Sequence, residues 1–299
     1  MSNGIRGVCA AVLTPLDERL APATEKAIPY YRTLLERGCQ SLNLLGTTGE
    51  ALSLTVPQRL RFMEEIADSD LPLSRLMTGT SASAIADTIE LTRHAVSLGF
   101  GAALIMPPRP STSIDDDGIV SYYGAIANAL DLAKSYIFLY NFPRLSRIEF
   151  TFSLVDRLMQ ELPGVIGGLK DSSNDVAYEA ALSQAYPDLA IFPSSECHLF
   201  EAKRLGLAGC ISGSVALWPE RARALWDSGD DMLDPPQREL CALRKTVEKH
   251  GLIPGVRFLT SVAEGDATWE RTLPPLESVA DAARAKLRDL FAQIRGAPA

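Results

Sequence analysis

The chain has 299 residues, 46% of them hydrophobic and 22% charged, a globular balance that supplies a large core and excludes a disordered chain. Its formal net charge of -8 repels nucleic-acid phosphates and anionic lipid, so composition points to a small-molecule partner, with no nucleic acid and no membrane.

Residues 1–14 contain one early arginine and the apolar stretch VCAAVL. That stretch is too short for a signal-peptide core and reads as a first strand. No apolar run approaches the roughly 18–20 residues that span a bilayer, and a cytoplasmic location is expected. The five cysteines, Cys9, Cys39, Cys197, Cys210 and Cys241, are scattered without a CxxC spacing and read as reduced, mostly buried thiols. His94, His198 and His250 lie far apart, beside no second ligand pattern. No metal site and no cofactor are expected.

Eight short apolar runs follow one another, at 8–14, 41–45, 75–79, 102–106, 136–140, 165–170, 189–193 and 209–213. Several are apolar on both alternations, as strands covered by helices on both faces must be, and the segments between them are long enough for crossover helices. Residues 24–37 and 85–97 carry apolar residues at three- and four-residue spacing, with Thr24 or Ser83 as candidate caps. After Ala216 the pattern turns helical, over 219–227 and again over 236–295. The expected fold is α/β, a (β/α)₈ TIM barrel over 1–228 with a C-terminal helical extension over 229–299, packed on the barrel as one unit. A doubly wound sheet fits the same alternation, but it requires a glycine-rich loop after the first strand, where this chain reads TPLDER. The Pro-rich stretch 107–114 follows the fourth strand and belongs at the C-terminal mouth, where barrels of this kind build their active sites.

Three features could carry chemistry there. Lys170 ends the sixth strand in VIGGLKDSS. Burial disfavours the charged form of an amine, and a neutral amine can attack a keto carbon to form an iminium; the alternative is a lysine that leaves the strand to pair with Asp171. Tyr140 closes the fifth strand in YIFLYNFP, placing a phenol where a proton could be passed, or an aromatic that fills the barrel top with its hydroxyl on backbone. The turn GTTGE, residues 46–50 after the second strand, combines Gly46, which permits close backbone approach, with the hydroxyls and N–H groups of Thr47 and Thr48. It is an anion cradle or an ordinary helix cap.

In that order, and with GVCAAVLTPLDE, MTGTSASAIADTIELTRHAVSLGFGAALIMPP and GCISGSVAL, the sequence resembles the dihydrodipicolinate synthase and N-acetylneuraminate lyase superfamily of class I pyruvate aldolases. The resemblance covers roughly the first 220 residues and the C-terminal helices by position only. It implies that Lys170 forms the Schiff base, that Tyr140 relays the proton, that Thr47 links the relay and Thr48 binds the pyruvate carboxylate, and that the backbone of Ile211 contacts pyruvate. It also implies a homotetramer built from dimers. Ser195 and Glu196 occupy a place where other members carry substrate-facing polar residues.

Two positions depart from the dihydrodipicolinate-forming members. The arginine expected two residues after the proline of the YNxP motif is Leu145, with Arg144 and Arg147 out of register, and the Tyr-Tyr pair after the fourth strand is replaced by Pro108 and Arg109. Arg109 becomes a candidate for a second carboxylate or a polyhydroxylated chain. Thr47 stands where the sialic acid subgroup usually has serine. The expected activity is cleavage or formation of a 2-keto acid, a 2-keto-3-deoxy sugar acid, with pyruvate as product or donor. A dehydratase of such acids, a 4-hydroxy-tetrahydrodipicolinate synthase and a non-catalytic keto-acid-binding barrel are the alternatives.

Overall fold

A computed structural model describes residues 5–130, 132, 136–228 and 236–295. The remaining residues, among them 1–4 and the 229–235 stretch holding the expected boundary between barrel and extension, lie outside the described residues. Eight strands, β1 (Gly7–Ala11), β2 (Ser41–Leu44), β3 (Leu76–Gly79), β4 (Ala102–Ile105), β5 (Ile137–Asn141), β6 (Ile166–Asp171), β7 (Ala190–Pro193) and β8 (Gly209–Ser212), lie in the order β7-β6-β5-β4-β3-β2-β1-β8. Every paired neighbour is parallel. The seam between β7 and β8 is bridged where the Ala208 N–H donates to the Ile191 carbonyl at 2.8 Å. The result is the expected (β/α)₈ barrel.

The helices around it are α1 (Thr24–Glu36), α2 (Val56–Ala67), α3 (Ile85–Leu98), α4 (Asp116–Ala129), the one-turn α5 (Pro143–Ser146), α6 (Phe152–Glu161), α7 (Val176–Ala185), α8 (Leu199–Arg204) and α9 (Pro219–Asp227). Three more follow, α10 (Pro236–Lys249), α11 (Leu252–Glu264) and α12 (Asp281–Arg295). Apolar residues of α10, α11 and α12, among them Leu243, Phe258 and Leu287, share one core with Val8 and Ala10 of β1. No helix among the described residues is long and apolar enough to cross a membrane.

Side-chain parity explains why the strands are apolar throughout. Ile137, Leu139, Leu169 and Ile191 point outward into the helix layer, whereas Phe138, Tyr140, Ala190, Phe192 and Ile211 point into the barrel. Both faces are therefore dry. Gly168 has to be glycine, because a Cβ there would lie 2.4 Å from the Phe138 ring that fills the barrel beneath Lys170.

Two expectations are corrected. The caps of α1 and α3 are Ala23 and Ala84, neither with a side-chain bond. Thr24 lies inside α1 and donates its hydroxyl to Glu65, and the approach to α3 is held by Thr88, whose hydroxyl accepts from the Ala82 N–H at 3.1 Å. The first strand stops at Ala11 rather than Thr14. Beyond it the carbonyls of Leu13 and Thr14 accept from the Tyr31 hydroxyl at 2.8 Å and from Arg257 at 2.9 Å, so side chains take the place of the ladder.

Candidate active site

Parallel register delivers the site. Tyr140 and Lys170 are direct partners across β5 and β6, so two inward residues at adjacent strand ends meet at the C-terminal mouth of the barrel. Both are nearly buried, 5% and 4% exposed. The Lys170 amine sits over the Tyr140 ring, 4.4 Å from its centroid. Phe142 stacks on the other aromatic neighbour at 5.7 Å and 27°, fixing the Tyr140 ring plane. The Tyr140 hydroxyl lies 3.4 Å from Thr47 Oγ1.

Asp171 is occupied elsewhere. Its Oδ1 accepts from Asn141 Nδ2 at 2.6 Å and its Oδ2 from the Ser173 hydroxyl at 2.6 Å. No ion pair joins it to Lys170 among the described residues. Behind it lies Glu179, 1% exposed, whose oxygens have no hydrogen-bond partner among the described residues. Burial first, and the nearby Asp171 charge second, push its carboxyl up to about 9.

The GTTGE turn is built by close approach. A Cβ on Gly49 would fall 2.8 Å from Thr14 Oγ1, and one on Gly213 would fall 2.9 Å from Thr48 Oγ1. Two glycines thus let the β1 loop and the end of β8 close on the threonines. Glu50 stands in the left-handed region at φ 55° and is held there by Arg257, whose Nε donates to it at 2.7 Å. The cap of α2 is Thr55, not a threonine of this turn.

Thr47, Thr48, Tyr140, Lys170 and Ile211 line one cavity of about 380 Å³, within the size range of small-molecule sites. Four expected residues are placed differently. Gly46 borders a smaller adjoining space. Ser195 is buried and its hydroxyl accepts from the Cys197 N–H at 3.2 Å, whereas the adjacent Ser194 lines the wall. Glu196 turns inward to the hydroxyls of Ser212 and Ser214, each at 2.5 Å. Arg109 is exposed on the loop after β4 and does not line the cavity.

Other lining residues escaped sequence reasoning. Arg144 reaches the cavity despite its register, because α5 turns the chain directly after Pro143. Helix α10 contributes Arg244 and Glu248, the break between α10 and α11 contributes Gly251, and the first turn of α11 contributes Leu252, Ile253 and Pro254. The Gly-Leu-Ile-Pro break was the available signal, since it interrupts a helical run with an apolar pair. Cys197 and Cys241 also meet, the Cys241 thiol donating to the Cys197 carbonyl at 3.6 Å. Among the described residues, no group of His, Cys, Asp and Glu is placed to hold a metal.

The model of the dihydrodipicolinate synthetase family matches residues 4–294. An uncharacterized DapA-like lyase of Chloroflexus aurantiacus is 34% identical over 273 residues, 90% of this chain and 88% of that protein. A dihydrodipicolinate synthase crystal structure from Agrobacterium tumefaciens superimposes with a TM-score of 0.88 at 28% identity, covering 96% of this chain and 99% of the other. A sialic acid aldolase from Ruminococcus gnavus, 18% identical over 99% of both chains, has the same fold with a TM-score of 0.88.

Proposed function

The chain belongs to the dihydrodipicolinate synthetase family and is a lyase, and on that premise we propose that it cleaves or forms a 2-keto acid through a Schiff base on Lys170. The observation that carries this reading is the convergence of Lys170, Tyr140 and Thr47 in one cavity.

The amine of Lys170 attacks the keto carbon, water leaves, and the iminium becomes the electron sink for the adjacent bond. Tyr140 takes the proton from the substrate hydroxyl as the carbon–carbon bond breaks, and Thr47 hands that proton onward. The aldehyde departs, the enamine is reprotonated, and hydrolysis frees pyruvate and the amine. Thr48 and the backbone at Ile211 hold the pyruvate half, Thr48 packed against Gly213. The reaction requires no cofactor. The substrate in this reading is a 2-keto-3-deoxy sugar acid. Arg144 favours a second reading, condensation of pyruvate with an aldehyde that carries a carboxylate, because its guanidinium reaches the cavity and has no ion-pair or hydrogen-bond partner among the described residues.

We take the protein to act in the cytoplasm as a homotetramer. Exposed Leu52 and Ile114, in the segments following β2 and β4, and Ile85, which opens α3 after β3, support a subunit contact there.

Borohydride in the presence of pyruvate is expected to trap a covalent adduct on the wild-type protein and none on Lys170→Ala. An adduct that persists in that variant would sink the assignment. Tyr140→Phe is expected to lower kcat by about 10²- to 10⁴-fold. A panel of 2-keto-3-deoxy sugar acids and aspartate semialdehyde, scored for pyruvate, water loss or cyclised product, separates lyase, dehydratase and synthase.

A further inference from the structure

Opposite the strand ends, α10 presents a guanidinium built into the wall of the cavity. Arg244 is only 7% exposed, yet it lines the cavity. Its Nη1 donates to Ser212 Oγ at 3.0 Å and to Ser214 Oγ at 3.3 Å, and each serine donates in turn to one oxygen of Glu196, which is 1% exposed. Arginine and glutamate face each other across the two hydroxyls at 3.9 Å. The pair fixes the guanidinium against the end of β8, beside Ile211 and Gly213 of the same cavity.

The other side of the guanidinium is unfinished. Nη2 has no hydrogen-bond partner among the described residues and is not among the buried, unpartnered atoms. Nε is buried without a hydrogen bond and has only the Glu248 carboxylate at 3.6 Å. Glu248 is one turn along the same helix, with its side chain 55% exposed, so it is free to leave. Leu252, Ile253, Pro254 and Leu276 form an apolar border, which strengthens a charge interaction made inside it. A fixed arginine edge with two adjacent donors lacking hydrogen bonds, one of them faced by a carboxylate that can leave, matches an oxyanion.

We infer that Arg244 determines specificity by binding a terminal oxyanion, carboxylate or phosphate, on the aldehyde half of the substrate, displacing Glu248. The inference rests on the Schiff-base reading above and adds to it the far end of the substrate. Glu196, Ser212 and Ser214 are positioning residues that hold Arg244 in place.

The test condenses pyruvate with matched aldehydes, 4-oxobutanoate against butanal and glyceraldehyde 3-phosphate against glyceraldehyde; the first pair reports carboxylate, the second phosphate. The wild-type enzyme is expected to prefer the anionic member of at least one pair. Arg244→Met is expected to lower kcat/KM for that member about 10- to 100-fold, chiefly through KM, with the neutral member changed less than about 3-fold and pyruvate trapping intact. Glu248→Gln, which leaves the guanidinium in place, is expected to improve kcat/KM for the anionic member and decides the matter if Arg244→Met does not fold. Pyruvate trapping without an anionic preference, or equal losses for both members in Arg244→Met, overturns this inference alone. No gain from Glu248→Gln does the same. Absence of trapping in the wild-type enzyme overturns the Schiff-base reading together with it.

Discussion

Arg257 and Arg244 both leave C-terminal helices to meet a glutamate on a barrel loop, and the two pairs end in opposite states. At Arg257 every nitrogen is used: Nε and Nη2 engage Glu50, Nη2 also donates to the Thr14 carbonyl at 2.9 Å, and Nη1 reaches the Trp269 carbonyl at 3.3 Å. The second oxygen of Glu50 accepts from the Leu273 N–H at 2.8 Å. Around Arg244, the pair with Glu196 runs through serines and one edge stays open to the cavity. Equal residue types at equal burial therefore do different work. A saturated pair fixes the fold, in this case the GTTGE turn, whereas an unsaturated one is available to a ligand.

The largest expected effect tests the saturated pair. Arg257→Met strands the Glu50 charge in the interior and should cost about 3–5 kcal/mol, read as a lower denaturation midpoint in urea; a loss below about 1 kcal/mol would break the comparison. Arg244→Met removes donors from Ser212 and Ser214 but leaves both hydroxyls bonded to Glu196, so its cost should be smaller, about 1–3 kcal/mol. Equal midpoints for the two variants would erase the distinction.

Glu179 extends the comparison to a buried carboxyl without a cation. Its carboxyl is raised from 4.5 to about 9 by burial and Asp171, so over that range the folded protein keeps a proton that the unfolded chain releases. Its contribution to stability is present below about pH 4.5 and is lost as pH rises through about 9. Glu179→Gln should therefore raise Tm at pH 8.5, by roughly 2–4 °C for each 1 kcal/mol recovered, and leave it little changed near pH 4.5. A gain confined to acid would reverse the sign and discard the buried-proton account. The smallest effect belongs to Arg37 and Glu220, a half-exposed pair between α1 and α9 at 2.5 and 3.0 Å. Arg37→Gln should cost about 0–1 kcal/mol and less in high salt.

Legibility followed the range of the interaction. The eight strands were readable because burial on both faces writes a continuous apolar run into the chain. Their ends moved where side chains from elsewhere, Tyr31 and Arg257, took over the carbonyls after Ala11. The cap of α1 was misread because Thr24 finds a partner in Glu65, which lies on α2, and that of α3 because Thr88, inside the helix, takes the Ala82 N–H. Lys170, Tyr140 and Thr47 stood out because each closes a strand or opens the turn after one. Arg144 was set aside on register alone, and only the one-turn helix at Pro143 brings it to the cavity. Arg109 had the right chemistry on the right loop, but the fold leaves it exposed outside the wall.

By itself, the sequence determined the barrel, its winding order and the strand ends that carry lysine and tyrosine, since parity and parallel pairing are properties of local pattern. Tertiary structure alone decided the far side of the cavity. Arg244 and Glu248 sit in a helix with no motif, and the bonds from Arg244 to Ser212 and Ser214 span 32 and 30 residues of chain. Only packing of α10 across the barrel mouth brings those groups together, so the partners a buried arginine keeps are settled by the neighbours it meets there.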